Sequence, residues 1–389
     1  MAELQEELEK LDRAARRRSL LEVDGAQEPW LRINGRSMLN LSSNNYLGLA
    51  GDERIKRAAV EALEKHGAGA TASRLVVGNH PAYRAAESAL VRWKGAGGGL
   101  IFNSGYAANT GIIQAVAGKD TAVFSDKLNH ASIIDGIILS RAEKIRYRHN
   151  DLDHLEWLIK KTHPDRRKLI VTDSVFSMDG DVACLEGLVD IKERYNSILM
   201  VDEAHSSGVY GRRGEGMAHH LGLQDKVDVQ MGTFSKALGS FGAYVVGSHW
   251  LIDYLVNKAR SFIFTTAMPP AVLGAIEAAI NIVSEDSSLR KNLSDNSRYF
   301  RTALSRLGFD TCGSQSQIVP IVIGPDEKTV LFSRRLQEEG IAAVAIRPPT
   351  VPENTARIRF SVTAAHRRQD LEWAVDRIAC VGRQMGVIS

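Results

Sequence analysis

The chain has 389 residues, and its 49 Lys and Arg against 46 Asp and Glu leave a formal charge of only +3. A charge this small, with no arginine-rich stripe, gives no reason to expect nucleic acid as a partner. A hydrophobic content of 44% argues against a disordered or fibrous protein, and the length exceeds what one hydrophobic core usually supports, so more than one domain is expected.

The first 50 residues predict an amphipathic helix over residues 2 to 20, followed by the extended stretch WLRINGRSMLNLSS. From residue 51 to about 285, helical patterns such as DERIKRAAVEALEKHG alternate with short apolar runs. These runs are GGLIF, TAVFSD, KIRYR, KLIVTDS, SILMVDEA, DVQMGTF and YVVGS. Such alternation predicts an α/β domain with a mostly parallel sheet, in which ligands bind at the carboxyl ends of the strands.

The pattern changes after residue 285. SEDSSLRKNLSDNSRYFRTALSRLGFD predicts a long polar helical passage, and SQIVPIVIG, IAAVAIRPP and ARIRFSV predict strands. We therefore expect three segments: an N-terminal helix and extended segment (1–50), a large α/β domain (51–285) and a smaller C-terminal α+β domain (286–389).

The three cysteines lie far apart, at 184, 312 and 380, and have no metal-ligand spacing, so neither disulfides nor a metal site is predicted. The charged N-terminus does not resemble a signal peptide, and the longest apolar stretch, AVLGAIEAAINIV, is too short to cross a bilayer. These features predict a cytoplasmic protein without a membrane partner.

Several predicted strands are followed by polar residues that could serve a ligand. SILMVDEAH ends in Asp202 and His205, and Lys236 lies in GTFSKALGS, a small-residue link between two predicted strands. A helix cap would explain Asp202 about equally well, and a solvated loop is the ordinary explanation for a lysine. Small residues around Lys236 instead indicate close approach by another part of the chain or by a ligand.

Three further candidates follow the same pattern. Ser177 lies in VFSMDGD, where Asp and Gly could simply form a turn, and His130 begins a predicted helix, where it could be a cap. Gly105, in NSGYAAN, begins a helix after the strand GGLIF, and exposed backbone N–H groups there could bind phosphate. A plain strand-to-helix turn is the alternative.

No GxGxxG after a strand, GxxxxGK[ST], HExxH or GxSxG is present, which argues against the usual dinucleotide, nucleotide-hydrolase, zinc-protease and serine-hydrolase sites. A phosphate cradle, two histidines, an aspartate and a secluded lysine together suit one cofactor, pyridoxal 5'-phosphate (PLP). PLP requires a lysine amine, a carboxylate at its ring nitrogen and donors for its phosphate.

Long motifs in this order resemble the α-oxoamine synthases, whose fold is the PLP-dependent transferase fold type I. The motifs are LSSNNYLGL (41–49), NSGYAAN (103–109), LNHASIIDG (128–136), VFSMDGD (175–181), VDEAHSSGVYG (201–211), GTFSKALGS (232–240), AMPP (267–270) and IRPPTVP (346–352). The resemblance covers nearly the whole chain. It implies an enzyme with a mostly parallel sheet in a large domain and a smaller C-terminal α+β domain.

The resemblance also implies roles for particular residues. Lys236 would bind PLP covalently and move protons, Asp202 would pair with the ring nitrogen, His205 would contact the phenolic oxygen and His130 would stack on the ring. The other residues implied to contact the cofactor are Gly105, Tyr106, Ser177, Thr233 and, in the site of a neighbouring subunit, Thr266. A homodimer with shared active sites is therefore expected.

Four substrate contacts are implied as well. Arg359 would hold the carboxylate of the amino acid, with Asn44 and Thr350 nearby, and Arg16 would contact the acyl thioester. An ordinary ion pair is the alternative for Arg359, and a solvated helix face is the alternative for the run Arg16 to Arg18.

IRPPTVP followed by TARIRFSVTAAH resembles the branch of the family that joins L-alanine to a pimeloyl thioester, carried by coenzyme A or an acyl carrier protein, in biotin synthesis. The branch that joins glycine to acetyl-CoA is the main alternative, because LNHASIIDG and GRQMGVIS are also similar to it. Another acyl chain, an aminotransferase and a PLP-binding protein without turnover are further alternatives.

Overall fold

The computed structural model describes residues 1–389, apart from the side chain of Ala2. The chain forms two compact units. The sheet unit comprises Leu49–Phe176 and Val182–Arg290, and the terminal unit comprises Met1–Gly48, Ser177–Asp181 and Lys291–Ser389. The division into segments 1–50, 51–285 and 286–389 stays a prediction.

Within the described residues, the chain has fourteen strands and fourteen α-helices. Strands β1 to β14 span Val23–Asp24, Trp30–Ile33, Arg36–Asn40, Gly98–Phe102, Thr121–Asp126, Glu143–Tyr147, Arg167–Asp173, Ile198–Asp202, Val229–Thr233, Ala243–Gly247, Ile318–Gly324, Ile341–Ala342, Ala345–Ile346 and Ala356–Ser361. Helices α1 to α14 span Ala2–Arg13, Glu53–His66, Pro81–Lys94, Gly105–Val116, Ala131–Ser140, Leu152–Lys161, Leu185–Arg194, Met217–His220, His249–Lys258, Arg260–Ile263, Pro270–Glu285, Ser287–Arg306, Asp326–Glu338 and Arg368–Gln384.

The sheet unit is built on a seven-stranded sheet with the order β4-β10-β9-β8-β7-β5-β6. Strands β6, β5, β7, β8 and β9 pair in parallel, and β10 runs antiparallel to both β4 and β9. Residues of β4, β5 and β7 to β10 pack with α4, α5, α9 and α10 in one buried apolar cluster. Burial on both faces explains why these strands are continuous apolar runs, and the expectation of a mostly parallel sheet is confirmed.

The terminal unit contains two smaller sheets, with the orders β1-β2-β3-β12 and β11-β14-β13. The extended stretch after residue 29 forms the hairpin β2–β3, and its turn residues Asn34 and Gly35 both have positive φ (47° and 76°), as a tight hairpin turn requires. A second apolar cluster packs α12, α13 and α14 against β11 and β14.

In the terminal unit the expected end of the first helix was wrong, whereas strands are present where they were expected in IAAVAIRPP. Helix α1 ends at Arg13 rather than near residue 20, because Ala15 adopts a positive φ of 55° and its carbonyl accepts a hydrogen bond from Arg347. The apolar run IAAVAIRPP forms β12 and β13, which belong to different sheets. Within the described residues, no helix is long and apolar enough to span a membrane.

Candidate active site

The carboxyl ends of the parallel strands in the sheet unit carry a row of polar residues. Asp126, Asp173, Asp202 and Thr233 are the last residues of β5, β7, β8 and β9, and all four are buried. Asp173 lies directly opposite Asp202 in the strand register. This edge is therefore where a ligand site is expected in an open α/β sheet.

Lys236 lies in the tight connection between β9 and β10. The Phe234 N–H donates to the Gly242 carbonyl at 2.9 Å, and the Gly239 N–H donates to the Lys236 carbonyl at 3.0 Å. Gly239 has φ +62°, and a Cβ atom there would lie 2.5 Å from the backbone nitrogen of Ala50. The small residue at 239 is thus required by close approach of another backbone segment.

His205 is the neighbour of the Lys236 amine. Lys236 Nζ and His205 Nε2 are 2.8 Å apart, with His205 buried and Lys236 half-buried. The sequence predicted both residues as parts of one site, and the structure places them in direct contact.

The Asp202 carboxylate is held at both oxygens. Oδ1 accepts a hydrogen bond from the Ala204 N–H at 2.8 Å, and Oδ2 accepts one from the Asn109 side-chain amide at 2.7 Å. These bonds fix the carboxylate plane and leave lone pairs for one more donor.

His130 caps the N-terminus of α5. Its Nδ1 accepts a hydrogen bond from the Ser132 N–H at 3.2 Å, and its own backbone N–H donates to Asp173 at 2.8 Å. Desolvation lowers the pKa of His130, and nearby Lys236 acts in the same direction. Burial, with Asp202 as the next cause, raises the pKa of Asp173 well above its ordinary value. A neutral imidazole therefore lies beside this edge of the sheet.

Of the predicted phosphate donors, Gly105 and Tyr106 begin α4, and Thr233 ends β9. Gly105 is the first residue of this twelve-residue helix, and a Cβ atom there would meet only Met231 Cε, at 3.3 Å. Thr233 Oγ1 lies 2.6 Å from Ser235 Oγ and donates to the Gly242 carbonyl. The N-terminus of a helix favours an anion because its first N–H groups have no partner within the helix.

Tyr106 and Thr266 are more exposed than the rest. The Tyr106 hydroxyl donates to Asp135 on α5, so it already has an acceptor. Thr266 is exposed, and its carbonyl accepts a hydrogen bond from Asn103 at 2.9 Å.

Arg359, on β14 of the terminal unit, is only 8% exposed, and it brings together two other predicted residues. Its guanidinium donates to Asn44 Oδ1 from both Nη atoms at 3.1 Å and to the Ser177 carbonyl. It also donates to the Ser361 hydroxyl and to the hydroxyl of fully buried Tyr46. Within the described residues no carboxylate pairs with it, so the alternative of an ordinary ion pair does not apply.

Arg16 differs from Arg359 because two carboxylates hold it, Asp326 at 2.7 Å and Glu353. It lines a groove of about 720 Å³ in the terminal unit with Arg17, Arg18 and the loop Pro348 to Glu353. Thr350, in that loop, is exposed, and its N–H donates to the Arg347 carbonyl.

Sequence reasoning missed several residues of these clusters: Asn109, Ser132 and Asp173 in the sheet unit and Tyr46 in the terminal unit. Asn109, Ser132 and Tyr46 lie inside the motifs NSGYAAN, LNHASIIDG and LSSNNYLGL. The bond of Asn109 to Asp202 and the bond of Tyr46 to Arg359 could not be read from the chain, because these partners lie far away in sequence.

Comparison with known proteins shows the family to which this chain belongs. Residues 36–378 match the model of the family described as aminotransferase class I and II. A protein of Geobacillus kaustophilus named "Putative 8-amino-7-oxononanoate synthase" is 59% identical over 388 residues, covering 100% of this chain and 99% of the relative. A protein of Bacillus cereus strain G9842 with the same name is 57% identical, covering 98% and 97% of the two chains.

Solved structures of proteins that are similar to this chain support the same family. A serine palmitoyltransferase from S. paucimobilis, with a bound PLP–myriocin aldimine, has a TM-score of 0.95 at 31% identity and covers 99% of this chain and 98% of its own. An 8-amino-7-oxononanoate synthase from Francisella tularensis has a TM-score of 0.78 at 27% identity, covering 89% and 98%. The chain therefore belongs to the aminotransferase class I and II family, and within it to the α-oxoamine synthases with the PLP-dependent transferase fold type I.

Proposed function

We propose that this chain, a PLP-dependent acyltransferase, condenses L-alanine with a pimeloyl thioester. The products are 8-amino-7-oxononanoate, carbon dioxide and the free thiol, and the step belongs to biotin synthesis. The names of the two relatives that are 59% and 57% identical support this substrate pair, as does the IRPPTVP motif.

The residues of the sheet unit fit PLP. They offer a primary amine at Lys236, a buried carboxylate at Asp202 with lone pairs to spare, and a helix N-terminus at Gly105 for a phosphate. When bound, PLP supplies an electron-accepting ring that stabilises negative charge on the Cα of an amino acid. Asp202 would hold the ring nitrogen, His205 the phenolic oxygen and Thr233 the phosphate.

Lys236 is the group proposed to move the proton. Its Nζ would take the proton from the alanine Cα and later return a proton to the product. The Nε2 atom of His205, 2.8 Å away, holds the amine in one place. His130 would cover one face of the reacting centre and restrict access of water to it.

The observation that carries the proposal for an amino-acid substrate is the environment of Arg359. A buried guanidinium surrounded only by neutral oxygens has an unbalanced positive charge, which favours a carboxylate ligand. Both Nη atoms donate to one oxygen, Asn44 Oδ1, and a substrate carboxylate would take over these donors from it. Holding the carboxylate sets which bond at Cα reacts.

We also propose that the protein is a cytoplasmic homodimer whose active sites are shared. Exposed apolar side chains at Leu75, Val76 and Val77, which are 51%, 73% and 79% exposed, suit contact with a second copy. The Ala267 N–H donates to the Ala72 carbonyl, so Thr266 lies beside this segment, where it could reach the site of the neighbour.

The test is thiol release by the purified protein with added PLP. L-Alanine plus pimeloyl-CoA should release thiol, neither substrate alone should do so, and Lys236→Ala should abolish the release. Pimeloyl carried on an acyl carrier protein should be compared as the donor. Release with glycine plus acetyl-CoA alone would move the assignment to the other branch, and a colourless protein after incubation with PLP would contradict the proposal.

A further inference from the structure

Two helix residues of the sheet unit, Asn109 and Ser132, connect Asp202, which is expected at the ring nitrogen of the cofactor, to His130, which is expected on the face of the ring. Asn109, on α4, is 1% exposed, and its Nδ2 donates to Asp202 Oδ2 at 2.7 Å and to Ser132 Oγ at 2.9 Å. Ser132, on α5, is fully buried and lies 2.7 Å from His130 Nδ1. One amide nitrogen has two N–H groups, so Asn109 uses both of them in this network.

The direction of each hydrogen bond follows from its neighbours. The Ser132 N–H donates to His130 Nδ1, so Nδ1 carries no proton. The Ser132 hydroxyl oxygen accepts from Asn109, and its own proton is therefore free to be donated to Nδ1. Donation runs one way, from Asn109 to Asp202 and from Asn109 through Ser132 to His130. His130 is then the neutral imidazole with its proton on Nε2.

Simple packing does not explain this arrangement. The Oδ1 atom of Asn109 is buried and accepts no hydrogen bond from the described residues. An unpaired buried amide oxygen costs stability, and a residue that served only the core would avoid it. What the amide provides is two donors at fixed positions.

We propose that Asn109 and Ser132 are positioning residues that set the orientation of the Asp202 carboxylate and the tautomer of His130 together. The inference rests on the proposed function only for the roles of Asp202 and His130 toward PLP. The network itself consists of residues of this chain. It makes Asn109 the one position from which both groups are controlled.

The charged groups around His130 decide how a titration of its ring is read. They are Asp173, which accepts its backbone N–H, and Asp202, Lys236 and Asp135. None of them is changed in the variants below. In Ser132→Ala a shift in the His130 titration midpoint therefore reports the loss of the Ser132 donor. Asn109→Asp also adds a carboxyl group, so its shift is interpreted only together with the double variant.

The experiment is NMR titration of the full-length chain with histidines labelled at Cε1, with His130→Asn used to assign the signal. Ser132→Ala removes the hydroxyl donor, and Asn109→Asp replaces two donors by acceptors, which turns the Ser132 proton away from His130. Both variants should raise the titration midpoint of His130. The double variant should match Asn109→Asp alone, because both changes break one chain of bonds.

Binding of PLP to the same proteins separates the two branches of the network. Asn109→Asp places a second carboxyl group against Asp202 and should weaken PLP binding by about tenfold or more. Ser132→Ala should leave the affinity for PLP nearly unchanged, and Ser132→Thr, which keeps the hydroxyl, should restore the His130 midpoint. Thr110→Val is the matched control, since Thr110 neighbours Asn109 on α4 but bonds only to the carbonyls of its own helix.

Additive shifts in the double variant, or an unchanged His130 midpoint in a folded Asn109→Asp protein, would overturn the inference. The proposed function can fail separately. If His130 responds as expected but the wild-type chain neither binds PLP nor releases thiol, the network is correct and the function is wrong. If the chain turns over its substrates while the midpoint stays constant in every variant, the function is correct and the network inference is wrong.

Discussion

The positive charge of Arg359 is not balanced by a carboxylate among its neighbours. Its role can therefore be tested by substitution with lysine, which keeps the charge. Lysine keeps the charge but cannot donate from two nitrogens to one carboxylate. We expect Arg359→Lys to raise the KM for L-alanine and to lower kcat/KM by about 10- to 100-fold, the equivalent of one or two charge-assisted hydrogen bonds. Steady-state kinetics with alanine varied at saturating thioester would measure this.

Arg357 provides the matched control, because it lies two residues away on the same strand and pairs with Asp179. Arg357→Lys should lower stability while leaving the KM for alanine close to the wild-type value. Unchanged KM and kcat in Arg359→Lys would show that the carboxylate is held elsewhere.

At this scale the sequence predicted the residues that follow strand ends. Lys236, Asp202 and His205 could be proposed because parallel strands bring their carboxyl ends to one edge, whatever the details of packing. Their roles stay predictions. Asn109 and Ser132 could not be proposed, because a polar residue within a helix is usually solvated or bonded to its own backbone. Only the packing of α4 against α5 shows that their donors meet Asp202 and His130.

At the scale of elements, His366 joins the turn after β14 to strand β3. Its Nδ1 accepts the Thr363 N–H at 3.1 Å, and its Nε2 lies 3.0 Å from the Asn40 carbonyl. Burial lowers the pKa of His366 to about 4, against which the contact with Asn40 and the charge of Asp370 act. The folded chain therefore favours the neutral ring, whereas an unfolded histidine takes up a proton near pH 6.5.

The contribution of neutral His366 to the free energy of unfolding is fully present above pH 6.5 and is lost as the pH falls toward 4. By pH 5 the loss should reach about 2 kcal/mol. The urea concentration at the unfolding midpoint should thus fall more between pH 7.5 and pH 5 in the wild-type chain than in His366→Gln. His163→Gln, at an exposed histidine, should behave as the wild type does. An equal fall in His366→Gln and wild type would contradict the assignment.

The ends of helices and strands can be determined by contacts with residues that are distant in sequence, and α1 is an example. The charge pattern of residues 2 to 20 suited a helix throughout, but Ala15 leaves the helical region and Arg16 binds Asp326 and Glu353. Those partners lie more than 300 residues along the chain, so no local pattern indicates them. The strands of the sheet unit were predicted closely because each must be apolar to be buried on both faces.

At the scale of the whole molecule, the proposed dimer should dissociate when charges are placed in its apolar contact. Val76→Asp combined with Val77→Asp would place two charges in an apolar contact and should shift the protein from twice the mass of one chain to the mass of one chain. Light scattering after size exclusion would measure the mass. PLP affinity should fall with the dimer, because Thr266 is proposed to serve the neighbouring site.

Leu331→Asp, which alters an exposed apolar residue of α13, is the control and should leave the mass unchanged. A wild-type protein with the mass of a single chain that still turns over its substrates would show that the sites are not shared.

The reversed strand β10 has a consequence for how the protein is made. Lys236 is held by the link between β9 and β10, and β10 completes its pairing only with β4, whose residues precede it by some 140 positions. Strand β4 lies at the edge of the sheet and pairs only with β10, so during synthesis it has no strand partner until β10 has left the ribosome. The yellow colour of bound PLP would then appear only after β10 has paired with β4. The absorbance of bound PLP during refolding would therefore report the time at which this last strand pairing forms.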